Sequence, residues 1–79
     1  MLVNESEHQV NKRYFFHVVG DDHTHEDKTG SVLSGGQAAS LQAAVMATEL
    51  AKEQEYRGFM VYVVDEDGRE VVRRLVMAG

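Results

Sequence analysis

The chain has 79 residues, roughly half the size of a common domain, so it holds one small domain and no more. Apolar residues make up 43% and charged ones 27%, which supplies a core and argues against both wholesale disorder and a membrane-embedded fold. Eight Lys and Arg against thirteen Asp and Glu leave a net charge of −5, a poor balance for coating nucleic acid, and the lack of cysteine excludes disulfides, thiolate zinc sites and thiol nucleophiles.

Residues 1–11 are polar and aperiodic and read as a loose tail, with 12–79 as the folded domain. No apolar run follows a basic start, and no stretch approaches the ~18 apolar residues of a membrane span, so the expected address is the cytoplasm. Arg13 to Val19 is aromatic and β-branched, closes on Gly20 and predicts a strand. Asp21 to Gly30 is polar and ends in glycine, predicting a loop or wide turn, after which Ser31-Val32-Leu33 fits a short returning strand. From about Gly36 to Glu55 the chain is alanine-rich without proline, predicting a helix of roughly 30 Å. Ser34 and Gln37 have the spacing of a capping box, and Gly58 is placed to stop the helix. At about 100° per residue, Ala39, Ala43, Met46, Ala47 and Leu50 share a face, and the small alanines would let the helix sit close on a sheet. Leu41 and Val45 fall off that face and are expected at the rim of the core, with a partner surface as the alternative.

Phe59 to Val64 is the clearest strand, and Asp65-Glu66-Asp67-Gly68 predicts a tight turn into a final strand over Arg69–Met77. A two-residue turn and a type I turn with a glycine bulge both fit and differ by one residue of register. The expected fold is α+β, in the order β-(β)-α-β-β, with one helix on a three- or four-stranded, mainly antiparallel sheet. Were strands 13–19 and 59–64 parallel neighbours, their crossover would be right-handed.

A sheet covered on one side should alternate apolar and polar residues, and these strands do not. Tyr14, Phe16 and Val18 oppose Phe15, His17 and Val19, while Met60, Tyr62 and Val64 oppose Phe59, Val61 and Val63, so both faces are largely apolar. A single helix covers one face. The other calls for a partner, for which a second copy is the first candidate and the apolar residues of the tail (Leu2, Val3, Val10) the internal alternative. Arg73 and Arg74 point to opposite faces, which suits an edge strand. The residues expected at a contact surface are therefore Tyr14, Phe16, Tyr62, Arg73 and Arg74.

Candidate chemistry is sparse. His23 and His25, two apart among Asp21, Asp22, Glu26 and Asp27, would share a face of an extended segment and are the only weak metal candidates. His17 has no nameable nucleophile or orienting partner and reads as a half-buried strand residue. Asp65 to Gly68 lacks the later glutamate of a calcium loop, and Ser34-Gly35-Gly36 lacks the lysine of a phosphate loop. No catalytic residue, metal or cofactor is expected.

Arg13-Tyr14-Phe15-Phe16-His17-Val18, with Asp27-Lys28-Thr29-Gly30, Ala38-Ala39, Ala43 and Asp65-Glu66-Asp67-Gly68, resembles a widespread bacterial family of small domains of unknown function. Its members open on an RYFFHV-type strand and end in a DE-x-G hairpin. The resemblance covers about residues 12–72 and implies the fold without an activity. Gly35 replaces the family's usual acidic helix start, and His23 and His25 lie outside its pattern. The expected function is a non-enzymatic, cytoplasmic, self-associating interaction domain, most simply a homodimer. Alternatives are an antitoxin-like regulator, which the β-β-α opening faintly resembles and whose acidity would suit a basic partner protein, and a weak metal or small-ligand binder using loop 21–30.

Overall fold

A computed structural model describes residues 11–77. The expected tail, apart from Asn11, lies outside these residues. The chain forms β1 (Lys12–Val19), β2 (Thr24–His25), β3 (Ser31–Leu33), α1 (Gly36–Leu50), a 3-10 turn at Gln54–Tyr56, β4 (Met60–Asp65) and β5 (Glu70–Leu75). One helix thus lies on a five-stranded antiparallel sheet, an α+β fold. The expected three or four strands become five because Thr24–His25, inside the segment read as a loop, pairs with Val18 and Val19.

The sheet runs β2-β1-β4-β5, and β3 pairs with the same side of β1 as β2, further back along the strand. β1 and β4 are neighbours and antiparallel, with Phe16 opposite Val63 and Val18 opposite Val61. β1 and β4 are thus not parallel neighbours; the helical crossover instead joins β3 to β4, which run parallel to each other on either side of β1. β5 forms an edge, where its paired arginines place it.

The helix is shorter than its alanine content suggests. After Leu50 the bonds tighten, with Lys52 N–H reaching Glu49 O at 3.2 Å and Glu53 N–H reaching Leu50 O at 2.9 Å, and Arg57 Nε donates to the carbonyl of Ala51 at 3.0 Å. These contacts satisfy the terminal carbonyls seven residues ahead of Gly58. The expected capping box does not form, since the N-cap is Gly35 in extended backbone with no side-chain bond.

The core is thin. Ala39 and Ala43 are fully buried and Ala47 nearly so, seated on Tyr14, Phe16, Val61, Val63 and Val76, with Met46 and Leu50 packed at the margin. Leu41 and Val45 are not at the rim. They stand in solvent at 68% and 53% exposure, on the helix side opposite the alanine ridge.

The last hairpin takes the bulged form. Gly68 N–H closes the turn on Asp65 O at 2.9 Å with φ at +83°, and Asp65 N–H bonds Arg69 O at 2.9 Å, a type I turn followed by a left-handed glycine. A second irregularity between Val63 and Val64 leaves Val71 extra on β5 and packed toward the helix.

Gly30 and Gly68 separate two costs of losing a glycine. A Cβ on Gly30, at φ +76°, would stand 2.7 Å from Arg13 Cγ and 3.0 Å from the carbonyl oxygen of Tyr14, whereas one on Gly68 meets nothing within 4 Å. Gly68→Ala should therefore cost about 1 kcal/mol from backbone strain alone. Gly30→Ala should cost about 2–3 kcal/mol, the added part coming from the clash with β1. Urea titrations of the two variants measure the difference, and equal midpoints would contradict it.

Candidate functional site

The face of the sheet away from α1 is organised in rows by register. Val19, Met60 and Leu75 are opposite one another across β1, β4 and β5, His17, Tyr62 and Arg73 form the next row, and Phe15 and Val64 the next, with Glu70 beyond Val64. Two apolar rows thus flank a polar one. Leu75 is half exposed and Val19 more than a third, while Phe15, His17, Met60, Tyr62 and Val64 are partly exposed.

The polar row is internally satisfied. Arg73 Nε and Nη2 donate to the two oxygens of Glu70 at 2.8 and 2.9 Å, the guanidinium sits 5.1 Å from the centre of the Tyr62 ring, and the Tyr62 hydroxyl donates to Glu70 Oε1 at 3.3 Å. The bidentate bond from Arg73 holds the Glu70 carboxyl below the usual carboxylate value, and Glu70 in turn raises Arg73. The ion pair leaves no net charge on the row. Hollows of about 280 and 350 Å³ lie on either side of Tyr62, the first bounded by His17, Val19, Thr24 and Glu26, the second by Val19, Met60 and Arg73.

His17 is oriented by the loop behind it. Asp27 N–H donates to His17 Nδ1 at 3.1 Å, so in the neutral ring the proton is on Nε2 and the outward nitrogen is a donor. Phe15 stacks alongside with ring centres 6.5 Å apart. Asp27 also fills the gap between β2 and β3. Its carboxylate accepts the N–H of Phe16 at 3.1 Å, Thr29 at 3.2 Å and Gly30 at 2.9 Å, replacing the missing strand partner of mid-β1. Partial burial pushes the Asp27 carboxyl up, but the N–H groups of Gly30, Phe16 and Thr29 and the nearby His17 outweigh it and hold it below the ordinary value.

Of the residues expected at a contact surface, Tyr14 and Phe16 lie beneath the helix at 4% and 5% exposure, because strand alternation sets them beside Val63 and Asp65 in the core. Tyr62 and Arg73 lie on the uncovered face. Arg74, paired with Val61, points to the helix side at the free edge. His23 and His25 are drawn into a closed ring of four aromatic groups: His23 to His25 at 5.2 Å, His23 to Phe59 at 5.2 Å, Phe59 to Tyr56 at 5.5 Å and Tyr56 to His25 at 6.0 Å, all edge to face. His23 Nδ1 bonds Asp22 at 2.9 Å. Among the described residues no group of three or more His, Cys, Asp or Glu side chains is arranged to hold a metal ion, and no helix is long and apolar enough to cross a membrane. Sequence reading missed Asp27, whose signal was the Asp-x-Thr-Gly turn spacing, and it missed Tyr56 and Phe59 as partners of the histidines.

The chain belongs to the family described as Domain of unknown function (DUF6894), which matches residues 13–74. No curated protein and no solved structure matches it.

The depressed Asp27 carboxyl stabilises the fold when ionised, so its contribution is full above the unfolded value near pH 4 and disappears as the pH falls through the folded value. Asp27→Ala should lower stability at neutral pH by about 2 kcal/mol, the scale of bonds to a charged acceptor. It should also make the acid decline shallower than in the parent, and stability–pH profiles that stay parallel would contradict the assignment.

Proposed function

We propose that this domain is a non-enzymatic, self-associating interaction module of the cytoplasm, in which a second copy covers the open sheet face. The observation that carries the reading is the pair of apolar rows on that face, set around an ion pair that cancels its own charge. Each copy carries a net charge of −5, which opposes association, so a face without net charge is the surface on which two copies meet at least electrostatic cost. A helix on one side and a second sheet on the other gives each sheet two covered faces, the usual resolution for strands apolar on both sides.

Size sets the affinity. Three strands about 20 Å long and 4.8 Å apart make a face of roughly 300 Å² in projection, well under the ~800 Å² each partner contributes to a standard interface. The dimer should accordingly be of micromolar strength and exchange rapidly.

Sedimentation velocity across low- to high-micromolar concentration tests this. The parent should move from monomer to dimer mass, and Met60→Asp, which puts a charge in an apolar row, should stay monomeric while its circular dichroism is unchanged. A parent chain that remains monomeric at high-micromolar concentration would refute the reading.

A further inference from the structure

The free edge of β5 and the flank of α1 enclose a groove of about 350 Å³ on the helix side of the sheet, distinct from the open face. Ala44, Thr48 and Ala51 form the helical wall, and Arg74, Leu75 and Met77 the strand wall. Met77 is 64% exposed at the rim and the alanines of α1 line the floor, so the groove presents apolar surface to solvent, while the Leu75 side chain itself stands in the Met60 row of the open face. Among the described residues its only charge is Arg74. Arg73 is engaged by Glu70, whereas Arg74 makes no ion pair or side-chain hydrogen bond among the described residues.

The strand wall also offers backbone groups. Val76 directs its N–H to Phe59 O and its carbonyl to Gly58 N–H, both at 2.8 Å, so strand alternation turns the N–H and C=O of Leu75 and Arg73 outward. The irregularity at Val71 interrupts the edge nearer the turn, which leaves Arg73 to Leu75, continued by the paired Val76 and by Met77, as its more regular part. We infer that this stretch is a docking site for an extended acidic-apolar segment of another protein, which adds as a strand beside β5, sets alternate aliphatic side chains against the alanines of α1 and pairs a carboxylate with Arg74. Charge selects the occupant. A second copy pairing its own β5 antiparallel over Arg73–Met77 would set Arg73 opposite Met77 and Arg74 opposite Val76 and bring no carboxylate to Arg74, whereas an acidic strand meets the unengaged guanidinium.

The test is a random dodecapeptide display library panned on the full-length chain, with the enriched peptide then titrated in amide NMR. The expected peptide alternates aliphatic residues around an acidic one, perturbs the amides of Arg73 and Leu75, and binds Arg74→Glu at least about tenfold more weakly while Arg74→Lys retains most of the affinity. Arg74 is exposed, so neither variant should disturb the fold. The inference is overturned if no sequence is enriched or if the enriched peptide binds Arg74→Glu unchanged. It is equally overturned if the peptide shifts Phe15, Met60 and Tyr62 instead, or if Arg73 and Leu75 shift with protein concentration alone, which would make a second copy the occupant. These outcomes are separable from the fate of the open-face dimer, which sedimentation reads independently.

Discussion

The close seat of α1 on the sheet governs the rest of this structure. Ala39, Ala43 and Ala47 bring the helix axis down onto Tyr14, Phe16, Val61 and Val63 with only methyl groups on the helix side of the seam, so the core is thin. A core that thin is filled by a single helix, and the described residues supply one. The same economy leaves the far face of the sheet apolar and, among the described residues, without cover. Its two cavities and the groove beside β5 are consequences of one short helix of 15 residues on a five-stranded sheet.

Two aspartates do work that backbone pairing does elsewhere. Asp27 supplies an acceptor to mid-β1 where β2 and β3 part, and Asp65 does the same inside the hairpin, taking the N–H of Asp67 at 2.9 Å and of Arg69 at 3.0 Å. The N–H of Arg69 above all, against the opposing effect of burial, holds the Asp65 carboxyl below its ordinary value, helped by Asp67 N–H and by Lys12 and Arg69. Lys12 approaches Asp65 at 3.6 Å, so the buried carboxylate is compensated by charge as well as by hydrogen bonds. Part of the acidity of the chain thereby has a structural use, and net charge alone is a poor guide to the partner it prefers.

Legibility in the sequence followed the length of the pattern. β1, β4 and the alanine helix announce themselves through runs of six or more residues of consistent type, and the lack of alternation in Phe15 to Val19 and Met60 to Val64 carried the two-faced sheet. β2 escaped because two residues carry no period, and its pairing depends on contacts with β1 that no local window contains. The helix end escaped for a related reason: alanine propensity favours continuation past Leu50, and a side chain seven residues on, Arg57, supplies the competing cap. For the site, Tyr62 and Arg73 were readable from alternation and edge logic. The sidedness of Tyr14 and Phe16 was not, since strand parity tells which residues share a face without telling which face the helix will choose.

The ring of His23, His25, Tyr56 and Phe59 has a bearing on how the molecule breathes. β2 has two ladder pairs, so most of what fastens the hairpin tip to the body is contact between aromatic edges and faces. Contacts of that kind are lost together once one ring turns away, and they leave few backbone bonds to resist. The 21–26 arm, ahead of the Asp27 anchor, is therefore the part of the sheet that opens most easily, peeling off as a unit while β1, β4 and β5 stay paired, and its amides should be the first among the strands to exchange their hydrogens with solvent.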